Sequence, residues 1–573
     1  MTSVLPTSKR WVISPRIPAS INSALNEFSP LLRQLLYNRG ISDSKTAWAY
    51  VRGEASRSTD PFLMTGMNEA VETLHNAITG SHKIAIYGDY DVDGVTSSAL
   101  LFEFFREIGV EARVYIPNRF DEGYGLNMEA IETLAGEGVQ LMITVDCGIR
   151  SVKEVDRAKA LGLHVILSDH HTPGENLPQA DAVLNPKQPG DFYPYKDLAG
   201  VGLAYKFVQA YLERHPCEGL KAEHWLDLVA IGTVADIAPL TDENRALVKA
   251  GLVNMRQVNR QGLFSLCQVA GIRLENINAG NIGFGIGPRL NAAGRMDTAM
   301  DAFHLLTATD IYTAGMFAQK LETQNRQRKE ITEDIQTRAL EMALAAEKDA
   351  PFIFAAAPDF SEGVVGLAAS RVVETVYRPA IIGHQSEDCV VASCRSIPEF
   401  NIVAALDQCR DLLVRHGGHA MAAGLTVTNQ NLPAFLERFN QLAHKALDGM
   451  ELNPMLAIDR EIALERVRPE DIPGILEDVA TLEPTGSQNP EVLFCSHRCQ
   501  VRNARTMSDG QHLKFFLHTG DRDWEAIAFR QGHWINTLPA EMDIVYYFDV
   551  NVWNGHQTLQ LNIRDIKPSD PQN

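Results

Sequence analysis

Five short apolar runs rich in β-branched residues recur between residues 83 and 185, each closed by a polar loop: KIAIY (83–87), ARVYI (112–116), LMITV (141–145), HVILS (164–168) and AVLN (182–185). Helix-like stretches separate the early ones, VTSSALLFEFFREIG (95–109) and VKEVDRAKALG (152–162). Strands alternating with helices at this spacing predict βαβ units and a parallel sheet, hence an α/β fold. Ligands of such sheets sit outside the carboxyl ends of the strands. The loops at those ends read GDYDVDG, PNRFDEGYG, DCG, DHHTPGE and NPKQPGD, and the chemistry is to be sought there.

The first loop puts Asp89, Asp91 and Asp93 at every second position. Crowded carboxylates repel and their pKa values rise unless a cation compensates. A solvated acidic turn with Asp93-Gly94 as a plain helix cap is the bland alternative. Three further segments weigh against it: Asp146 in DCG, His170 and His171 in DHH, and Asp236 in VADIAPL. Facing one another at strand ends, these residues would form a set of oxygen ligands with one or two imidazoles. Such a set suits Mn²⁺ or Mg²⁺ better than Zn²⁺. With a bridging carboxylate it can hold two ions about 3.5–4 Å apart, an arrangement that activates water and stabilises the departing oxygen of a phosphoester. His170 is the better ligand; His171 would orient the ligand shell or donate a proton.

Further along, WLDLVAIGTVADIAPL (225–240) reads as a buried helix breaking at Asp236, and 316–350, free of Gly and Pro, as one long helix. A second αβ pattern runs from PFIFAAA (351–357) to about 445. The tail reads as strands, with Trp553-Asn554-Gly555 as a hairpin turn, and fits a small OB-type β-barrel. Its aromatics Phe515, Phe516, Trp524 and Trp553 are divided between barrel core and base-stacking platforms. The expected domains are a lead-in (1–50), a metal-binding catalytic domain (51–310), a connecting helix (311–350), a second αβ domain (351–450) and the barrel (451–573).

The net charge of −20 argues against a uniformly basic nucleic-acid surface, but not against a local basic groove. Eight cysteines without a Cys-x-x-Cys pair suggest a reducing, cytoplasmic setting. Cys495, His497 and Cys499 are closely spaced, yet lack the second ligand pair of a zinc motif. No signal-like apolar core stands at the N-terminus, and no run reaches the roughly 20 residues of a membrane span, so no membrane partner is expected.

In that order, DYDVDG, VDCG, SDHH and VADIAPL resemble the four motifs of the DHH phosphoesterase family. HGGHAMAAG (416–424) resembles the Gly-Gly-His signature of the DHHA1 domain that usually follows. GPRLNAAGRM (287–296) resembles a segment typical of the family's single-strand-specific exonucleases. By this resemblance Asp91 and Asp93 are metal ligands of the first motif, Asp146 of the second, His170 of the third and Asp236 of the fourth. Many smaller relatives begin the first motif His-x-Asn-Pro. Here it reads Tyr87-Gly88-Asp89-Tyr90, so the ligands of one metal can differ and Asp89 can compensate. Asp89 and His171 are thus the candidate catalytic groups beside the ligands.

For phosphate, Arg289 and Arg295 flank a predicted turn around Asn291 and Gly294. Arginine's planar fork suits phosphate oxygens, though surface ion pairs would use the same side chains. Gly417, Gly418 and Gly424, read as a glycine-rich helix entry, would let N–H groups approach a phosphate, with His419 bonding it. Arg371, Ser393 and Arg395 would line the same cleft. The resemblance implies a metal-dependent exonuclease that releases mononucleotides from the 5′ end of single-stranded DNA. It further implies work in recombinational and mismatch repair, with single-strand-binding protein and helicases as partners. Rival readings are a DHH hydrolase of nanoRNA or cyclic dinucleotides, which usually lacks an added barrel, and a DNA-binding subunit with a dead site, whose ligand carboxylates would be eroded.

Overall fold

The computed structural model describes residues 8–53, 59–123, 125–257, 260–346, 350–553 and 556–569. Two compact units emerge, one holding Ser56–Leu452, the other Ser8–Ala55 with Asn453–Asn573.

The first unit opens with the expected parallel sheet. Its strands are β1 (Ile84–Gly88), β2 (Ala112–Tyr115), β3 (Leu141–Val145), β4 (His164–Ser168) and β5 (Ala182–Leu184), in the order β2-β1-β3-β4-β5. All five residues of β1 and of β3 are buried, as expected of parallel strands covered by helices on both faces. The register pairs Gly88 with Val145 and Val145 with Ser168. The residues that follow, Asp89, Asp146 and Asp169, therefore leave the sheet side by side. Helix α1 (Val92–Glu107) buries almost its whole circumference, because α2 (Gly200–Arg214) and α3 (Leu226–Ala235) pack on it.

A π-helical turn at Ile282–Ile286 leads into α4 (Gly287–Met296), so GPRLNAAGRM is a helix and not the predicted turn. Gly294 serves packing: a Cβ there would lie 2.8 Å from the carbonyl oxygen of Tyr90. The long helix is present as α5 (Ile311–Ala346), 36 residues or about 54 Å. Residues 347–349 lie outside the described ones. Its buried stripe changes character along its length. Ala318 and Leu321 join the core of the first domain, and Ile335 and Ala339 that of the second. Between them the buried positions are polar: Gln324, Asn325 and Thr332.

Beyond α5 the strands β6 (Ile353–Ala357), β7 (Ala380–Gln385), β8 (Cys389–Arg395), β9 (Leu413–His419) and β10 (Ala422–Thr428) form a mixed sheet ordered β9-β10-β8-β7-β6. Helix α6 (Glu362–Val376) packs against β7 and β8. HGGHAMAAG is the β9–β10 hairpin, not a helix entry. Gly418 is required there: its φ is +143°, and a Cβ would lie 2.4 Å from the oxygen of Ala422.

The second unit contains the OB-type barrel. Its strands are β11 (Arg460–Glu461), β12 (Phe494–Met507), β13 (His512–Thr519), β14 (Arg522–Ala528), β15 (Glu541–Trp553) and β16 (His556–Pro568). The order β12-β13-β14-β16-β15 closes by pairing β15 with β12, and β11 extends β12. Of the predicted turn, Asn554 and Gly555 lie outside the described residues, as does the side chain of Trp553. Phe515 and Trp524 are core, and Phe516 is half-buried. The lead-in is not separate: Leu25, Phe28, Leu32, Leu35 and Leu36 share one core with Phe494, Leu513 and Phe515. Among the described residues all eight cysteines are free, and no helix is long and apolar enough to cross a membrane.

Candidate metal centre

The motif residues occupy distinct local positions. Asp89 directly follows β1. Asp91 is the N-cap of α1, its side chain accepting from the N–H groups of Asp93 (2.9 Å) and Gly94 (3.2 Å). Gly94 has no room for a side chain, since a Cβ would meet the Asp89 carbonyl oxygen at 2.4 Å. Asp93 lies in the first turn of α1, not in the preceding loop. Its two oxygens accept from the N–H groups of Gly200 (2.6 Å) and Val201 (2.8 Å), so the start of α2 clamps a fully buried carboxylate. Asp146 takes a left-handed backbone, φ +62°, rare for a non-glycine residue and common where function fixes the chain. Asp236 is the C-cap of α3.

These groups converge. His170 Nε2 lies 3.1 Å from Asp146 Oδ1 and 3.8 Å from both Asp93 Oδ2 and Asp236 Oδ2. Three overlapping sets have their ligand atoms within 4.8 Å of one another: Asp89 with Asp91 and Asp146, Asp146 with His170 and His171, and Asp93 with His170 and Asp236. Asp146 belongs to the first two, the placement of a bridging ligand. Asp89 Oδ1, Asp146 Oδ1 and His170 Nε2 are buried without a hydrogen-bond partner. Buried polar atoms left so are rare unless something else satisfies them, and a hard divalent cation fits this donor set.

Electrostatics agree with the geometry. Burial first, and neighbouring carboxylates second, hold Asp89 and Asp146 well above the usual carboxylate range and lift Asp93 to about 7 and Asp236 to about 9. Burial pulls His170 down to about 4, leaving a neutral imidazole with a lone pair to give. His171 moves the other way: burial lowers it, but the Asp169 hydrogen bond at 2.7 Å and the surrounding carboxylates more than reverse this. Raised carboxyl pKa values mean that the folded chain binds more protons than the unfolded one, so stability is full below the ordinary carboxylate range and falls as pH rises. Melting temperature in chelator is expected to drop as the pH climbs through 7 and on to 9, and saturating Mn²⁺ to abolish that drop. A chelator melting curve flat over this window would contradict the clustered charge.

Facing cations come from several elements. Arg295 on α4 donates from Nη1 to the Gly363 carbonyl oxygen at 3.2 Å. Burial, then the nearby Arg119 and Arg328, bring its pKa down to about 10. Arg119 lies over the Tyr90 ring at 4.1 Å, one position past Asp89. Arg289 is committed elsewhere, to Glu322 (2.5 Å) and the Gly285 carbonyl oxygen (2.9 Å). Asn291 is half-buried on the same helix. Arg395 and Ser393 both approach Gly366 on α6, where a Cβ would meet each at 3.1 Å, and Arg371 sits near enough to Arg328 to lower its pKa behind burial. Gly418 and His419 stand on the β9–β10 hairpin, and no hydrogen bond or ion pair among the described residues joins them to the carboxylates.

Sequence reasoning passed over several residues here. Asp169 orients His171 and accepts from the Ile149 N–H at 2.8 Å. Gly200 and Arg119 carried no motif signal. Asn325, both of whose amide atoms are buried without a partner, and Arg328, whose Nε is likewise, were hidden in a long polar helix. A polar break in the buried stripe of α5 was the readable sign. Phe284, 88% exposed between Gly283 and Gly285, stands on the π-helical turn that packs against α3 just before Asp236. Ile237, the residue after Asp236, is 73% exposed.

Comparison with known proteins finds three family matches along the chain. Residues 83–233 match the DHH family N-terminal domain, 349–445 the DHHA1 domain and 458–565 the RecJ OB domain. The chain is similar to the single-stranded-DNA-specific exonuclease RecJ of Bacillus subtilis, with 35% identity over 99% of this chain and 72% of that protein. To RecJ of Escherichia coli it is 34% identical over 95% of this chain and 96% of that one. Among solved structures, RecJ from Thermus thermophilus in complex with Mn²⁺ superimposes with a TM-score of 0.84 at 30% identity, covering 98% of this chain and 80% of that one. The Mg²⁺ complex gives 0.78 at 28% identity, covering 98% and 79%.

Proposed function

The chain belongs to the RecJ family of single-stranded-DNA-specific exonucleases, and from that membership we propose that it hydrolyses single-stranded DNA stepwise from a 5′ end, releasing mononucleotides. The observation that carries this reading is the trio of overlapping ligand sets sharing Asp146 and His170. Asp89, Asp91, Asp93, Asp146, His170 and Asp236 would hold two Mn²⁺ or Mg²⁺ ions, which supply Lewis-acid polarisation of the phosphate and acidify an attacking water.

The chain's own residues do the rest. The α2 N-terminus and the Asp91 cap fix the carboxylates so that they need not reorganise during reaction. His171, held by Asp169 and shifted toward its protonated form, would give a proton to the departing 3′ oxygen. Arg295, Arg119 and Arg328 supply positive charge for phosphates, while Ser393, Arg395 and Arg371 reach the same junction from the second domain. Asn291, Gly418 and His419 complete the phosphate contacts once a strand is bound. Arg289, tied to Glu322, acts chiefly by bracing α4 on α5. Work in the cytoplasm, in recombination and mismatch repair beside single-strand-binding protein and helicases, follows from the same family reading.

The deciding experiment is digestion of end-labelled single- and double-stranded oligonucleotides with Mn²⁺, Mg²⁺ or chelator. Mononucleotides should appear from the 5′ label of single strands only, and a blocked 5′ end should stop digestion. Equal release from both ends would overturn the polarity. Phe284 offers a second check. Base stacking on an exposed ring contributes about 1–3 kcal/mol. Phe284→Ala should therefore raise KM for a long single strand about tenfold, or ~1.4 kcal/mol, with kcat held within about twofold. Steady-state kinetics with unchanged KM would remove Phe284 from the strand's path.

A further inference from the structure

The Cys495–His497 spacing finds in the fold the partner that the sequence lacked. Strand β11 pairs with β12 in parallel, and its register sets Glu461 opposite Cys495. His497, two residues on, shares the face of Cys495 by the strand's period of two. The imidazole Nε2 lies 3.6 Å from Cys495 Sγ and 3.9 Å from Glu461 Oε1. Its Nδ1 is held by Asp543 Oδ2 at 2.8 Å, and Asp543 in turn accepts from the Arg498 N–H (3.0 Å) and the Ser569 hydroxyl (2.7 Å). A metal-binding histidine is oriented in this way, one nitrogen on a buried carboxylate and the other turned to the ion.

We propose that Glu461, Cys495 and His497 form a binding site for a zinc-type divalent cation in the barrel unit, separate from the carboxylate centre. Metal–sulfur and metal–nitrogen bonds of about 2.3 and 2.0–2.1 Å at a tetrahedral angle span about 3.6 Å. The observed sulfur–nitrogen separation needs no rearrangement to meet this, and Glu461, more than half exposed, has freedom to close its longer gap. His497 and Glu461 also line a cavity of about 510 Å³, which leaves room for a water as fourth ligand. Thiol, imidazole and carboxylate in this order also resemble a nucleophilic triad. Cys495 does not fit that role, because its sulfur is fully buried and lies off the cavity that His497 and Glu461 line, where a scissile group could not reach it. A cation here would clasp the two-residue β11 to the barrel.

Cobalt(II) reports the site directly in the full-length protein after chelation and desalting. Ligation by Cys495 is expected to give a near-ultraviolet thiolate-to-cobalt charge-transfer band, whereas the ligands assigned to the catalytic centre are carboxylates and an imidazole. Cys495→Ser should abolish the band while Mn²⁺-dependent digestion of single-stranded DNA stays at the wild-type rate. Asp91→Ala should keep the band. Absence of the band in the wild type, or its persistence in Cys495→Ser, would overturn the site. Should Cys495→Ser fail to fold by circular dichroism, Glu461→Gln decides: about tenfold weaker cobalt binding supports the site and unchanged binding refutes it.

Discussion

Asp146→Asn is expected to lower Mn²⁺-dependent digestion by about three orders of magnitude, ~4 kcal/mol of lost transition-state stabilisation, while the folded chain becomes more stable in chelator. Both effects follow from one position. Asp146 Oδ1 is buried, lies 3.1 Å from His170 Nε2 and is shared by two of the three ligand sets. An amide keeps the shape but removes the charge that would bridge two cations. Without metal, the same charge is a liability. Burial and the fields of Asp93, Asp91, Asp89 and Asp236 all disfavour ionised Asp146. Removing it relieves that repulsion, so loss of activity and gain of metal-free stability should occur together. Parallel assays of nuclease rate and of melting temperature in chelator test the pair. A variant that kept its rate, or lost stability in chelator, would show that Asp146 serves packing and not cation binding.

How much of this was legible in the sequence depended on whether local signals matched the fold's geometry. Strands β1, β3 and β4 were readable because parallel strands buried on both faces are plain apolar runs, and their ends marked Asp89, Asp146 and His170. The acidic and histidine loops were readable because like charge concentrated at strand ends has few structural uses. Strand β12 was not. FCSHRCQVRNARTM carries two register shifts, at Ser496/Cys499 and Arg502/Arg505, and left-handed residues at Arg498 and Asn503, so its alternation is broken. The glycines of GPRLNAAGRM and HGGHAMAAG suggested a turn and a helix entry. In the fold they permit close packing on Tyr90 and a tight hairpin, requirements set by distant residues that no local pattern reveals. Arg119 and Arg328 were missed for a related reason, since a lone arginine becomes informative only beside other cations. The lead-in was misplaced because its apolar residues complete a barrel core over 400 residues away in sequence.

Gly200→Ala is expected to reduce digestion about a hundredfold with little loss of folded stability, the scale on which small displacements of reacting groups act. Gly200 is the first residue of α2, and its N–H holds Asp93 Oδ2 at 2.6 Å. A Cβ at this position would lie 2.8 Å from Asp146 Cβ and 3.0 Å from both Asp146 Oδ1 and Asp93 Oδ2. Real contacts are not that short, so the carboxylates or the helix must shift by tenths of an ångström. Two elements of the metal centre would then move at once, the bridging Asp146 and the clamped Asp93. Helix propensity alone would favour alanine by up to about 1 kcal/mol, which offsets part of the strain and separates the effect on rate from the effect on folding. Gly202→Ala is the matched control. It lies one half-turn on in the same helix, and the nearest atoms to its Cβ would belong to the Leu198 side chain, from 3.3 Å outward. The measurement is the Mn²⁺ concentration for half-maximal digestion, with maximal rate, in both variants. Gly200→Ala should need more Mn²⁺ and reach a lower maximum, with Gly202→Ala close to wild type. Equal behaviour of the two would mean that α2 merely covers α1 and does not shape the site.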